Sequence, residues 1–295
     1  MHQGIIFKGI GGFYYVKSAG ALYECKARGK FKNEKVTPMV GDHVGISIYD
    51  EEKQLGVIEE IMARKNSLVR PAVSNVDQAI IVFSIKNPDP NLMLLDKMIV
   101  LAEHAGLDVI LCFNKSDLDV DYDFDQFSRI YTRAGYRVIN TCAIKRLGID
   151  ALLEILRDKI SVFSGPSGVG KSSLLNAIED FAVETGEVSE KIKRGRHTTR
   201  HSELFEIQNG GIIVDTPGFT SLSLADVEPE ILGDYFPEFR IPAESCRFDN
   251  CSHINEPECG VKEAIENKLI ESVRYDAYLY IYKEITEQKR RTNKW

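Results

Sequence analysis

Gly165-Pro166-Ser167-Gly168-Val169-Gly170-Lys171-Ser172-Ser173 is the stretch on which the reading of this chain turns. Its spacing is that of a phosphate-binding loop. Glycines let backbone N–H groups curl around phosphate oxygens without steric cost, Lys171 brings a point charge to the terminal phosphates, and the Ser172 hydroxyl suits Mg²⁺. The apolar run Ile160–Ser164 before the loop predicts a strand. Residues 171–178 predict a helix, whose N-terminal end adds positive potential at the phosphates.

Working outward, Asn114-Lys115-Ser116-Asp117 follows the apolar run 109–113. Asp117 can accept from guanine's ring N–H and exocyclic amine together. Adenine offers no such donor pair and would leave the carboxylate unsatisfied. Asn114 braces that turn, and the Lys115 stem can cover the base plane. Thr141-Cys142-Ala143, after the strand expected at 136–139, stands where a base cradle with backbone donors to the guanine carbonyl belongs. Asp215-Thr216-Pro217-Gly218 is expected to be a second switch: Asp215 holds Mg²⁺ through water, and the Gly218 N–H meets the γ-phosphate. The first switch is expected in Arg194–His201, with Thr199, or else Thr198, contacting Mg²⁺ and the γ-phosphate. The residue after Gly218 is Phe219, which cannot orient water, so a polar group from elsewhere must do so. His197 is the nearest candidate, and a plain surface histidine is the alternative. In Ras-like GTPases the guanine selector comes last. Here it comes first, the order expected of a circularly permuted GTPase.

The rest of the chain frames this centre. Residues 1–69 carry short apolar runs at 4–10, 13–16, 21–25, 43–48 and 55–61, separated by turns and without a helical stretch. This pattern predicts a small closed barrel of the OB type. Lys26, Arg28, Lys30, Phe31, Lys32 and Lys35 form either an RNA-facing loop or a solvated one. Residues 70–222 alternate strand and helix patterns: strand at 78–83, helix capped by Asn91, strand at 109–113, helix at 125–134, strand at 136–139, helix at 149–159. Asn209-Gly210 between 203–207 and 212–214 signals a two-residue hairpin. A doubly wound α/β domain follows, with its ligands at the carboxyl ends of the strands. Residues 223–295 hold Cys246-x4-Cys251-x-His253-x5-Cys259, a donor set for a closed structural zinc site, then one helix from about Val261 into a basic end. There Lys283, Lys289, Arg290, Arg291 and Lys294 accompany Tyr275, Tyr278, Tyr280, Tyr282 and Trp295, for RNA contact or for packing on the metal module. Cys25, Cys112 and Cys142 read as buried neutral thiols. The net charge of −7 argues against a general polyanion-binding surface. No signal peptide and no membrane-spanning run is expected, so the chain is read as cytoplasmic.

With these motifs in place, the chain resembles the ribosome small-subunit-dependent GTPase A family, also called RsgA or YjeQ/YloQ. GPSGVGKSS, the His197-Thr198-Thr199 switch, DTPGF and the Cys3His spacing all match, and the resemblance spans essentially the whole chain. It implies a GTPase stimulated by the small ribosomal subunit, acting late in that subunit's maturation and touching rRNA through barrel and zinc domain. Nothing in the sequence suggests an obligate dimer. Two other readings remain at this point. A P-loop kinase for a small metabolite would prefer ATP, against the evidence of Asp117. A zinc-dependent RNA-binding module with a passive GTP clamp would have little use for Lys171, Ser172 and Asp215.

Overall fold

The computed structural model describes residues 1–33, 36–69, 71–184, 202–215 and 224–292. Lys35, Arg70, the first switch with His197, Thr198 and Thr199, residues 216–223 with Gly218 and Phe219, and Lys294 and Trp295 lie outside the described residues. The chain divides into two compact units, 1–78 with 152–164 and 178–219, and 79–151 with 165–177 and 220–295. These units follow packing and do not coincide with the sequence segments 1–69, 70–222 and 223–295.

The first unit begins with β1 (His2–Ile10), β2 (Phe13–Ser18), β3 (Ala21–Ala27), β4 (His43–Asp50) and β5 (Leu55–Ile61). Their order is β1-β2-β3-β5-β4, and β4 pairs back onto β1, so the expected barrel closes. Alternation places Ile6, Val16, Tyr23, Cys25, Val44, Ile46 and Ile58 in its interior. One expectation fails. A helical turn, α1 (Lys30–Asn33), interrupts the segment between β3 and β4, because it buries Phe31 to 5% exposure. Phe31 is therefore a core residue and not a stacking platform for a nucleobase. A small hairpin, β6 (Ser67–Leu68) with β7 (Val73–Ser74), follows the barrel. Buried Asp42 ties the two together, accepting from Ser74 Oγ at 2.6 Å and from Arg64 Nε at 2.7 Å.

The same unit holds β11 (Ile160–Ser164), parallel to β13 (Ile212–Asp215), which pairs antiparallel with β12 (Glu203–Glu206). β12 in turn pairs with barrel strand β1, with Lys8 opposite Glu203 and their side chains 2.9 Å apart. The β12–β13 turn differs from the expected two-residue type. Gly210 is left-handed at φ 82° but Asn209 is not, and the Gly210 N–H donates to Ile207 O. A two-residue Asn-Gly turn needs both residues left-handed. Asn209 instead spends its amide on Leu153 O at 2.5 Å and its oxygen on the Gly211 N–H.

The second unit carries β10 (Arg137–Asn140), β9 (Asp108–Asn114) and β8 (Gln78–Ser84) in that order, with β10 parallel to β9. Every residue of β8 is buried, as its unbroken apolar run requires. α2 (Leu92–His104) starts where Asn91 Oδ1 accepts the Leu94 N–H at 3.1 Å, and Gly106 turns left-handed past its end. α3 (Asp123–Arg133) packs Phe127 flat on Phe113 of β9, rings 5.1 Å apart. α4 (Ile149–Leu156) and α5 (Lys171–Glu184) are divided between the two units, after Ala151 and after Ala177. α4 ends sooner than the expected 149–159, because Asp158 takes a left-handed φ of 55°.

Beyond residue 224, short 3₁₀ turns lead to α6 (Arg240–Ala243), α7 (Gly260–Glu266) and α8 (Ser272–Thr292). The single helix expected from Val261 is thus two. Lys268 at φ 57° breaks it, and the Asn267 and Lys268 N–H groups close the end of α7 on Glu263 and Ile265 carbonyls. The core here is aromatic: Phe236, Phe239 and Tyr278 interlock with centroids 5.1–5.3 Å apart, beside Val100 and Leu101 of α2. Tyr275, Tyr278 and Tyr282 pack on this core, so the packing alternative holds for them, while Tyr280 is half exposed with Lys97 Nζ 4.8 Å above its ring.

Arg274 of α8 is 1% exposed and donates to Asp96 of α2 at 2.6 Å and to Glu238 at 2.7 Å. The rings of Phe236, Tyr136 and Tyr131 lie within 4.7–5.6 Å of its guanidinium carbon. Burial works against its charge, yet Asp96 and Glu238 hold it cationic, with a pKa well above the ordinary value. Burial raises the Asp96 carboxyl to about 6 against the pull of Arg274.

Candidate nucleotide site and metal centre

The phosphate loop runs on from β11 and is shaped by two close approaches. A Cβ on Gly165 (φ 143°) would meet Val82 O at 2.1 Å, and one on Gly170 (φ 95°) would meet Asn114 Nδ2 at 2.4 Å. Only glycine fits either place. Between them Ser167 and Gly168 are exposed, Val169 is buried, and Ser172 and Ser173 open the first turn of α5 to solvent. Lys171 Nζ donates to Gly165 O at 2.7 Å and Pro166 O at 2.6 Å. Burial lowers the pKa of this ammonium. The lysine thus lies folded on the loop it serves, with two carbonyls where an anion's oxygens can replace them.

The turn at residues 114–117, expected to select guanine, is joined to this loop by one side chain. Asn114, 1% exposed at the end of β9, donates from Nδ2 to Val169 O at 3.0 Å. Its Oδ1 accepts from Thr141 Oγ1 at 3.3 Å and from the Ala143 N–H at 3.2 Å. Three sequence motifs, phosphate loop, selector turn and base cradle, therefore meet at a single amide. Lys115 sits in a left-handed conformation (φ 63°) with its ammonium on Asn87 O. Ser116 and exposed Asp117 form a 3₁₀ turn, and the Cys142 thiol donates to Asp117 Oδ1 at 3.1 Å.

The cradle departs from expectation in one respect. The N–H groups of Thr141, Cys142 and Ala143 go to Phe113 O, Leu147 O and Asn114 Oδ1. In this structure they brace the selector turn and are not turned toward a base. Asp215 is the last residue of β13. Gly218, Thr199 and His197 lie outside the described residues.

The four metal-ligand candidates come together in the second unit. The donor atoms of Cys246, Cys251, His253 and Cys259 lie within 4.8 Å of one another. His253 Nδ1 is 3.6 Å from Cys246 Sγ and 3.4 Å from Cys259 Sγ, and those sulfurs are 3.9 Å apart. Tetrahedral zinc, with bonds of about 2.3 Å to sulfur and 2.0 Å to nitrogen, sets ligand separations of about 3.5–3.8 Å. The His253, Cys246 and Cys259 atoms stand close to those separations, so the cluster could bind zinc, and its three sulfurs and one nitrogen leave no open position. Burial disfavours charge here, pushing the Cys251 thiol up to about 12 and the His253 imidazole down. A bound cation reverses that preference by drawing protons from the thiols. Elsewhere the thiols behave as expected: Cys25, Cys112 and Cys142 are buried, and burial raises Cys25 to about 11 and Cys112 to about 12.

The profile of the RsgA GTPase family matches residues 61–225, more than half of the chain, and that of the RsgA N-terminal domain matches 3–58. The chain belongs to the RsgA GTPase family. A further profile, described as 50S ribosome-binding GTPase, matches 161–293. As a member of the RsgA GTPases this chain is a GTP-hydrolysing enzyme. A relative from Clostridium novyi, called small ribosomal subunit biogenesis GTPase RsgA, is 50% identical over 294 residues, 99% of this chain and 100% of that one. Among solved structures, YjeQ from Thermotoga maritima is similar with a TM-score of 0.86 at 39% identity, over 97% of this chain and 98% of that one. YloQ, described as a circularly permuted GTPase, is similar with a TM-score of 0.85 at 37% identity, over 98% of this chain and 96% of that one.

Sequence reasoning missed several supporting residues. Asp96 stands as a lone acid on the apolar face of α2, which was signal enough to look for a buried cation. Glu256, between two metal-ligand candidates, carried a similar signal. Nothing in the sequence pointed to Asn87 or Val82, whose parts are played by backbone carbonyls.

Proposed function

We propose that this GTPase acts in biogenesis of the small ribosomal subunit, hydrolysing GTP to GDP and phosphate when the subunit engages it. The observation that carries the nucleotide half is the Asn114 amide. It binds the Asp117 turn to the Val169–Gly170 end of the phosphate loop, so base and phosphates of one guanine nucleotide have adjoining seats. The subunit half is supported by the name of the Clostridium novyi relative, matched over its full length, and by family membership.

In this reading the segments 1–69, 70–222 and 223–295 serve as barrel, permuted GTPase centre and metal module. Asp117 accepts from the guanine ring N–H and amine, with Ser116 beside it and the Lys115 stem over the base. The N–H groups of 165–170 receive the phosphates, and Lys171 exchanges its two loop carbonyls for phosphate oxygens. Mg²⁺ would be held by Ser172, Thr199 and Asp215 and would neutralise charge developing on the phosphates. Gly218 senses the γ-phosphate. His197 orients the attacking water in place of the glutamine that Phe219 replaces. One structural Zn²⁺ sits on Cys246, Cys251, His253 and Cys259. The barrel and the metal module contact rRNA, and the enzyme works as a monomer in the cytoplasm. Among the described residues no helix is long and apolar enough to cross a membrane.

GTP turnover of the full chain with and without purified small subunits tests this directly. Turnover rises with added subunits, and ATP does not compete. Unchanged turnover with subunits present, or equal competition by ATP, overturns the reading. Asp117→Asn sharpens the nucleotide assignment. An amide at this position donates where guanine also donates but where xanthine accepts. GTP affinity should fall by about 100-fold while xanthosine triphosphate gains, as when a buried polar partner is mismatched.

A further inference from the structure

The metal loop is organised by a residue outside the Cys3His set. Glu256 Oε1 accepts from the Ser252 N–H at 2.9 Å and from Ser252 Oγ at 2.6 Å. Its Oε2 accepts from the Ile254 N–H at 3.0 Å and the Asn255 N–H at 3.1 Å. One carboxylate thus receives hydrogen bonds from residues on both sides of His253. That histidine is left-handed at φ 57°, a conformation that a residue with a Cβ adopts only when its surroundings hold it there. The other face of the arch is held from α8: Tyr278 donates its hydroxyl to Ser252 O at 2.6 Å, and Tyr275 donates to His253 O at 2.7 Å. The flanking backbone groups are therefore fixed from two directions, and the imidazole is left pointing at the sulfurs of Cys246 and Cys259.

We propose that Glu256 is the positioning residue of the metal centre: its carboxylate arches residues 252–255 so that His253 completes the tetrahedron set by the three cysteines. It touches no ligand atom of the cluster and acts through the loop backbone. An amide in its place keeps one good acceptor and turns the other into a donor, which confronts two N–H groups with a third. The inference rests on the reading of the Cys3His cluster as a zinc site.

The test is zinc affinity of the full chain by chelator competition, together with the visible absorption of the Co²⁺-substituted protein. Outer-shell partners of metal ligands are worth about 10- to 100-fold in affinity. Glu256→Gln should lose about that much and weaken the cobalt bands that report tetrahedral symmetry. Ser252→Ala, which removes one of four donors, should lose less and keep its fold, so it decides the matter if Glu256→Gln does not fold. Guanine-nucleotide affinity stays at the parent value in Ser252→Ala. A parent chain that binds no zinc overturns the metal reading and this inference with it. A parent that binds zinc, with both variants within twofold of it and unchanged cobalt spectra, overturns the role of Glu256 alone.

Discussion

The phosphate loop and the metal loop both take positive φ, by opposite routes. Gly165 and Gly170 take positive φ because they have no side chain, and neighbouring atoms, Val82 O and Asn114 Nδ2, occupy the space a Cβ would need. His253 and Glu258 take φ values of 57° and 55° with full side chains, in a loop laced by Glu256 and two tyrosines. One loop is defined by what is missing and stays open for a ligand. The other is defined by bonds from side chains to its backbone and is closed. A site that must admit and release a nucleotide stays open, whereas a structural ion can be sealed in. The two should therefore fail differently: side-chain deletions ought to collapse the metal module, and side-chain additions ought to spoil the phosphate loop.

The largest expected effect tests the side-chain half of this contrast. Arg274→Met leaves Asp96 and Glu238 buried without their cation, the situation in which removing one partner costs about 3–5 kcal/mol. Urea denaturation should show a loss of that order. Adding Asp96→Asn and Glu238→Gln to Arg274→Met should return most of it, because no uncompensated charge then remains. If the triple variant is as unstable as the single one, the cost lies in lost packing against Phe236, Tyr136 and Tyr131 and not in electrostatics.

The backbone half is tested by Gly170→Ala. Its Cβ would sit 2.4 Å from Asn114 Nδ2 at a φ of 95°, so the amide that joins the two nucleotide motifs must give way. Left-handed alanine alone costs about 1–2 kcal/mol. Binding should suffer more than stability, because the displaced Asn114 misplaces both the selector turn and the loop. Titration with a fluorescent GDP analogue should show affinity down by about 100-fold, roughly 2.7 kcal/mol. A variant that keeps parent affinity would mean that the Asn114 bridge is incidental to nucleotide binding.

How much of this was legible beforehand depends on what each feature is made of. The barrel strands, the strand–helix alternation and the rotated motif order follow from period and spacing, and the Cys3His donors from their intervals. Their convergence into a cluster was implied because a short segment with such donors has few other ways to bury them. The misreadings all come from choices that tertiary contacts make. Asn209-Gly210 is a good two-residue turn by itself, but Leu153 O outbids the local pattern for the Asn209 amide. Phe31 sits among lysines in sequence yet is buried. The tyrosines of α8 are no misreading, since the sequence leaves RNA contact and packing both open, and Tyr275 and Tyr278 take the second by holding the carbonyls of the metal loop. The cradle N–H groups were assigned by analogy of place, and bonds to Phe113, Leu147 and Asn114 claim them instead.

The smallest effect probes a contact where the two styles meet, a buried side chain serving an open site. Cys142 is 1% exposed and its thiol donates to Asp117 Oδ1, the group that would read guanine. Its backbone is pinned independently, N–H to Leu147 O at 3.0 Å and carbonyl from the Leu147 N–H at 3.1 Å. Cys142→Ala should therefore leave the loop in place and remove only the donor. The freed carboxylate samples other rotamers, and the ordering cost moves to the binding step. One neutral donor to a carboxylate at an exposed position is worth about 0.5–1.5 kcal/mol, so GDP affinity should fall by roughly two- to tenfold. Because nothing at the entrance changes, the loss should appear as faster GDP release with the association rate kept. Cys142→Ser, which restores a donor, should recover most of it. Equal release rates in the parent and in Cys142→Ala would show that Asp117 is held by its own 3₁₀ turn and that the thiol beside it is a bystander.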